Sequence, residues 1–250
     1  MAYAFDKLSN FRDLGGLATG DGGALKSGVL FRSDDPSRIT QRDLAKLHEL
    51  GIKLICDLRS PNDSQRRPRT SSIEIANVPL VDRDANRTEL LGFLFGKTGG
   101  ERFRTFTRDY YRHIAFDRTA RLRELLTRLA NARSLPALIH CSAGKDRTGF
   151  VAAVIQLLAG VPYETVKTEY LRTNEQFAPR LDRFIKVLRV ATLFRVSEAR
   201  MREVMMAQPE HLDDIHAAIV ERHGSIESYL RDACKLEPST LQQLKQHLLA

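Results

Sequence analysis

His140-Cys141-Ser142-Ala143-Gly144-Lys145-Asp146-Arg147-Thr148-Gly149 is the stretch on which the reading of the fold turns. The apolar run Leu135 to Ile139 before it has the composition of a buried strand, and Phe150 to Leu158 after it has that of a buried helix. A tight loop between strand and helix lies at a helix N-terminus, where backbone N–H groups lack intrahelical partners and the helix dipole favours negative charge. An anion of phosphate size suits such a cradle.

Working outward, Leu14 to Thr19 and Gly28 to Ser33 read as short strands about the Gly-rich turn Gly20 to Gly23. Thr40 reads as an N-cap, with Asp43 as the capping-box acid, for a helix ending near Gly51. Ile52 to Leu58 is a β-branched run suited to a central strand, and Ile73 to Leu80 predicts another. Between them Ser60 to Ser71, polar, basic and broken by two prolines, reads as a loop. Phe103 to Ala115 and Thr119 to Ala130 have helical spacing and lead into the strand before Cys141. Gly160-Val161-Pro162 closes one helix and opens Tyr163 to Arg172; Pro209 to His223, Ser225 to Ala233 and Pro238 to Leu249 read as further helices. This alternation predicts an α/β fold, a central and mostly parallel sheet flanked by helices, as a single domain over 1–250.

The side chains of the loop narrow its chemistry. A cysteine at a helix N-terminus near Lys145 and Arg147 is favoured as the thiolate, the form that attacks. Arg147 follows Cys141 after five residues, and a guanidinium fork can grip two phosphoryl oxygens at once. Gly144 suits a turn needing positive φ, and the Thr148 hydroxyl can donate to the sulfur when it leaves. The backbone of Ser142, Ala143, Gly144, Lys145, Asp146, Arg147 and Thr148 is the expected phosphate-binding surface, with His140 orienting the loop. A nucleotide-binding P-loop is excluded, since Ile139 stands where that motif needs glycine and Asp146 where it needs Ser or Thr.

Cys141, five residues and Arg147-Thr148-Gly149 resemble the signature loop of cysteine-dependent protein tyrosine phosphatases. The form Cys-x-x-Gly-Lys-Asp-Arg-Thr-Gly is similar to their atypical bacterial branch, which includes a mycobacterial member and phosphatases acting on phosphoinositides. Asn10-Phe11-Arg12-Asp13-Leu14-Gly15-Gly16, Leu30-Phe31-Arg32-Ser33, Asp57-Leu58-Arg59-Ser60 and Tyr229-Leu230-Arg231-Asp232 resemble that branch's other blocks. The resemblance implies a protein tyrosine phosphatase-like fold and hydrolysis of phosphomonoesters through a cysteinyl phosphate, without metal or organic cofactor. Its implied substrates are phosphotyrosine proteins, then phosphoserine or phosphothreonine proteins and phosphoinositides. It puts the general acid at Asp82; Asp84 nearby, and Asp146 by its place in the loop beside Arg147, are the alternative acids. The resemblance also suggests a helical lid over 175–206. There two short amphipathic helices are expected, with Phe177, Leu181, Phe184, Ile185, Leu188, Leu193, Phe194 and Val196 as apolar positions; an ordinary packed hairpin is the other reading.

The chain has 39 Lys and Arg against 31 Asp and Glu, a net charge of +8, which favours anionic partners. No basic stretch interleaved with aromatics, and no nucleic-acid module, points to DNA or RNA. Cys56, Cys141 and Cys234 lack any paired spacing, and His211, His216 and His223 lack a ligand pattern, so neither a disulfide framework nor a metal centre is expected. Met1 to Asn10 has no signal-peptide pattern and no stretch is apolar enough to span a bilayer, so the expected location is cytoplasmic, and the family resemblance adds export without a conventional signal as the alternative. A catalytically silent phosphate-recognition module is the alternative from another class. A sulfurtransferase, which also uses a loop cysteine, is disfavoured by the Arg-Thr-Gly ending.

Overall fold

The computed structural model describes residues 3–65, 73–83, 92–95, 99–193, 195 and 197–250. Along the chain come β1 (Arg12–Asp13), β2 (Leu30–Ser33), α1 (Gln41–Glu49), β3 (Leu54–Asp57), α2 (Pro61–Ser64) and β4 (Glu74–Asn77). Next are α3 (Gly99–Arg112), α4 (Thr119–Leu129), β5 (Ala137–His140), α5 (Asp146–Leu158), α6 (Tyr163–Ala191) and α7 (Glu198–Met205). The helices α8 (Pro209–His223), α9 (Ile226–Asp232) and α10 (Pro238–Leu248) complete the order.

The sheet order is β1-β2-β5-β3-β4, so the last strand in the chain lies at the centre. β5 runs parallel to both β2 and β3, β4 is parallel to β3, and only the edge strand β1 is antiparallel. The register brings three strand ends level, with His140 opposite Ser33 on one side and Asp57 on the other. The loops leaving three parallel strands therefore open on one edge, where open α/β sheets bind ligands.

Period-two alternation explains the layering. Leu30, Leu54, Cys56, Ala137 and Ile139 enter one core with Leu122 and Leu126 of α4 and Val151 and Ile155 of α5. Phe31, Ile55 and Leu138 turn to the other face, against Leu47 of α1 and Leu8 and Phe11. A sheet buried on both faces needs continuous apolar strands, which is what these sequences supply. The expected capping box starts α1: Thr40 Oγ1 accepts from Asp43 N at 3.1 Å while Asp43 Oδ2 accepts from Thr40 N at 3.2 Å.

Three sequence expectations need correction. Leu14 to Thr19 is not a regular strand: the ladder partner of β2 is Arg12–Asp13, and the Gly-rich hairpin makes only the bridge Ala18 to Ala24. Its remaining hydrogen bonds go partly to the far end of the chain, Lys26 N to Leu248 O at 2.7 Å and Ala250 N to Ala24 O at 3.0 Å, which no local pattern reveals. The start of the Ser60 to Ser71 loop is a helical turn, α2, with Ser60 Oγ accepting from Asp63 N at 3.4 Å. Finally, Tyr163 to Arg172 and the first half of 175–206 form one helix, α6, of 29 residues. Buried or half-buried Val166, Tyr170, Thr173, Phe177, Leu181, Ile185 and Leu188 recur every three or four positions, so the core-facing stripe never breaks. None of the described helices is long and apolar enough to cross a membrane.

Candidate active site

Cys141 is the first residue beyond β5 and is 2% exposed. Past it the chain turns at Gly144, whose φ is +64°. A Cβ at that position would lie 2.2 Å from Ser33 O, so the loop closes onto the end of β2 only because residue 144 has none. The loop's carbonyls are bound from outside: Ser142 O accepts from Asp35 N at 3.2 Å, and Asn10 Nδ2 donates to Ala143 O at 3.3 Å and Gly144 O at 2.9 Å. Since C=O and N–H of a trans peptide point opposite ways, the amides of residues 143–145 turn to the concave side beside Cys141. There they can hold the equatorial oxygens of a phosphoryl group, with the N-terminus of α5 behind them.

Arg147 and Thr148 lie in the first turn of α5. The Arg147 guanidinium is braced by Nη2 donating to Ser142 Oγ at 3.1 Å, across the mouth of the loop. Thr148 Oγ1 is buried and has no hydrogen-bond partner among the described residues, which leaves it available to a sulfur. His140 Nδ1 is 3.1 Å from Cys141 O and its Nε2 is 3.6 Å from Asp57 Oδ1. Asp57 in turn accepts from Arg59 N at 3.0 Å and Arg59 Nε at 3.1 Å, and Arg59 Nη1 reaches Asp35 Oδ2 at 2.5 Å. These contacts link His140 to both the start of the loop and the end of β3.

Behind the loop is a buried ionic cluster. Glu169 of α6 accepts from Arg12 Nε at 2.5 Å and Arg32 Nη1 at 3.0 Å. Arg32 Nη2 also donates to Gly144 O at 2.7 Å, so α6, β2 and the loop are joined through one side chain. Arg12 Nη1 meets Asn10 Oδ1, and its Nη2 donates to Thr173 Oγ1 at 3.0 Å. Burial alone would raise the Glu169 carboxyl, but the Arg32 and Arg12 charges together outweigh it and hold it below the usual carboxylate range. Burial first, then the neighbouring Arg32, pushes Arg12 down to about 10. Sequence reasoning misses Glu169; an acid on the core-facing stripe of a helix is its one available signal.

The expected acids lie in different surroundings. Asp146 is at the start of α5; its Oδ1 accepts from Tyr111 Oη at 3.2 Å and lies 3.7 Å from Lys145 Nζ. Tyr111 and Tyr170 share a hydrogen bond of 2.9 Å, and burial, above all else, pushes both phenols far above their ordinary value, so Tyr111 stays a donor. Gly149 permits this packing, because a Cβ there would lie 2.8 Å from the Tyr170 ring. Asp82 lies beyond β4 with its side chain 79% exposed and paired with Arg118; its described contacts do not reach the loop. Asp84 lies outside the described residues. His211, expected to be a surface or packing residue, packs beside the Tyr111 ring with centroids 5.7 Å apart, and burial lowers its pKa.

Lys145 is directed toward the 175–206 segment. Its ammonium, 7% exposed as a residue, donates to Val204 O at 3.5 Å, Met205 O at 3.3 Å and Met206 O at 3.3 Å, the last two carbonyls of α7 and that of its cap residue. Leu181, Ile185 and Leu188 of α6 pack with Met201 and Val204 of α7 and with Phe93, Leu94 and Phe103. Leu193, expected on the inward apolar face, is 78% exposed, while Phe194 and Val196 lie outside the described residues.

A profile described as the Tyrosine phosphatase family matches residues 3–250. A Cupriavidus necator protein, named by inference a tyrosine-protein phosphatase, is 30% identical over 249 residues, covering 99% of this chain and 88% of its own. The triple specificity protein phosphatase PtpB of Mycobacterium tuberculosis is 30% identical over 272 residues, covering 96% of each chain. The core catalytic domain of the PP-IP phosphatase SIW14 from S. cerevisiae aligns with 78% of this chain and 91% of its own, at a TM-score of 0.38 and 18% identity.

Proposed function

The chain belongs to the tyrosine phosphatase family, and from that premise we propose that it hydrolyses phosphomonoesters of proteins through a phosphorylated Cys141. The observation that carries the reading is the loop itself: a buried cysteine at the foot of α5, in a loop whose carbonyls at 142–144 are bound from outside, with Arg147 braced on Ser142 Oγ. In the first step Cys141 Sγ forms a bond to phosphorus as the ester P–O bond breaks, and a carboxylic acid gives its proton to the departing oxygen. Water then forms the new P–O bond as S–P breaks, its proton passing to a carboxylate while Thr148 donates to the leaving sulfur. The amides of 142–148 and the Arg147 fork hold the three equatorial oxygens throughout, supplying the positive field of the site.

Asp82 is our proposed acid, since an exposed carboxyl on the segment after β4 is free to swing once Arg118 releases it. Asp146, tied to Tyr111 and Lys145, suits water positioning better. Phosphotyrosine proteins are the proposed main substrates, and phosphoserine or phosphothreonine proteins and phosphoinositides the secondary ones. Phosphate release from a phosphotyrosine peptide, a phosphothreonine peptide and a phosphoinositide panel tests this, with EDTA present and Asp82→Asn and Asp146→Asn beside wild type. Asp82→Asn is expected to lose about 10²- to 10⁴-fold on the peptides, and far less on p-nitrophenyl phosphate, whose leaving group needs no proton. That selective pattern in Asp146→Asn instead would move the acid to Asp146; turnover of none of the physiological classes would refute the substrate reading.

Residues 1–250 are proposed as one phosphatase domain in which 175–206 covers the loop, anchored by Lys145 on the end of α7. Lys145→Met is expected to speed peroxide inactivation of Cys141 severalfold, because three carbonyls lose their cation and the cover loosens. Equal inactivation rates would leave 175–206 an ordinary packed hairpin.

A further inference from the structure

We propose that the outer face of the α6 tip is a docking surface for an anionic lipid bilayer. The inner stripe, Leu181, Ile185 and Leu188, already satisfies this helix's need for burial. Half a turn around, Val187 and Val190 are 69% and 64% exposed, and Leu193 stands just past the helix end at 78%. A helix end that is apolar on both faces is not what water selects, and such exposed apolar patches mark contact with another phase or partner.

Leu193 adds a second, independent sign. With φ at +49° it occupies the left-handed region one residue beyond the cap Thr192, a place where helices usually put glycine or asparagine. A leucine there is unfavourable twice, through its backbone and through its solvated side chain; its N–H bonds Val190 O at 3.1 Å, but its side chain belongs to none of the described apolar clusters. Insertion into hydrocarbon removes the second of these costs.

Charge selects the occupant. Residues 175–206 carry seven Lys and Arg against four Asp and Glu, a surplus of three. Three of those acids are already engaged: Asp182 with Arg202, Glu198 with Arg202 and Arg189, and Glu203 with Arg104. Lys186, on the same arc as Val187 and Val190, and Arg195 beyond Leu193 are exposed, with no ion-pair partner among the described residues. Apolar side chains flanked by unneutralised cations match acyl chains beneath anionic headgroups. A second copy fits less well, because each copy carries +8 and the facing patches would both be basic.

The proposal does not rest on the catalytic reading, and sedimentation with vesicles tests it on the full chain. Phosphatidylcholine vesicles with and without about 30% phosphatidylserine, at about 0.1 M salt, are the probes. Wild type is expected to partition at least about tenfold more strongly onto the anionic vesicles. Val187→Asp with Val190→Asp should weaken that partition about tenfold or more, and Lys186→Gln with Arg195→Gln about 30-fold, at roughly fivefold per cation. Leu193→Asn should weaken it while keeping or raising the melting temperature, which separates lost docking from lost folding. Partition unchanged in the valine pair, or equal on neutral vesicles, overturns the proposal. So does a concentration-dependent dimer, seen by ultracentrifugation, that the valine pair abolishes, since the face would then join two copies.

Discussion

Cys141→Ser is expected to lower phosphate release by at least about 10⁴-fold while leaving affinity for a phosphotyrosine peptide within about threefold of wild type. A serine hydroxyl attacks only when a base removes its proton, and the carboxylates of the proposed mechanism serve the leaving group and the attacking water instead. His140, the nearest imidazole along the chain, has Nδ1 at 3.1 Å from Cys141 O and Nε2 at 3.6 Å from Asp57 Oδ1, a placement that suits orienting the loop backbone. Cysteine dispenses with that base because a thiol at a helix N-terminus ionises on its own far more readily than an alcohol. The cradle survives the exchange: Gly144 still closes on Ser33, Asn10 and Arg32 still hold the carbonyls, and Arg147 still braces on Ser142. Binding therefore persists where chemistry fails, a split that titration calorimetry and steady-state rates would show together. Residual turnover above about one per cent would mean that another group is the nucleophile.

The loop is legible in the sequence because its function is local. Strand, turn and helix succeed one another within twenty-odd residues, and the spacing from Cys141 to Arg147 is itself the geometry of the site. The α/β class and the burial of β5 come from continuous apolar runs, which strands buried on both faces require, whereas the run Ile52 to Leu58, read as central, lies one place off the centre that β5 takes. The parts that escape a linear reading are held at a distance. Glu169 meets Arg12 and Arg32 across 157 and 137 residues, and Asn10 reaches Gly144 across 134. Their motifs stand out as blocks that resemble a family, but nothing along the chain says that they meet behind one loop. Lys145 reads as a pocket residue, whereas its ammonium caps α7. A substrate phosphate and three carbonyls at the end of a helix are both partners a lysine accepts, and only tertiary placement decides between them.

Glu169→Gln is expected to cost about 3–5 kcal/mol of stability, the range for removing one partner of a buried ion pair. The side chains of Arg32 and Arg12 are 0% and 7% exposed, so loss of the carboxylate leaves two guanidiniums in a dry interior with like charge facing like. For a chain of this size that corresponds to roughly 10 °C in melting temperature. The acid limb gives the sign. Glu169 has its folded pKa below the unfolded value, so its contribution is present above the ordinary carboxylate range and is lost as pH falls through the depressed folded value. The gap between wild type and Glu169→Gln should therefore be widest near neutrality and shrink as pH falls below about 4. Phosphate binding should weaken as well, because Arg32 Nη2 holds Gly144 O only while its other end is fixed on Glu169. Chemical denaturation of both proteins across pH, with phosphate affinity beside it, tests all three effects. A cost below about 1 kcal/mol would show that water or rearrangement relieves the two cations, and that the loop is held by Asn10 and Gly144 rather than by the cluster.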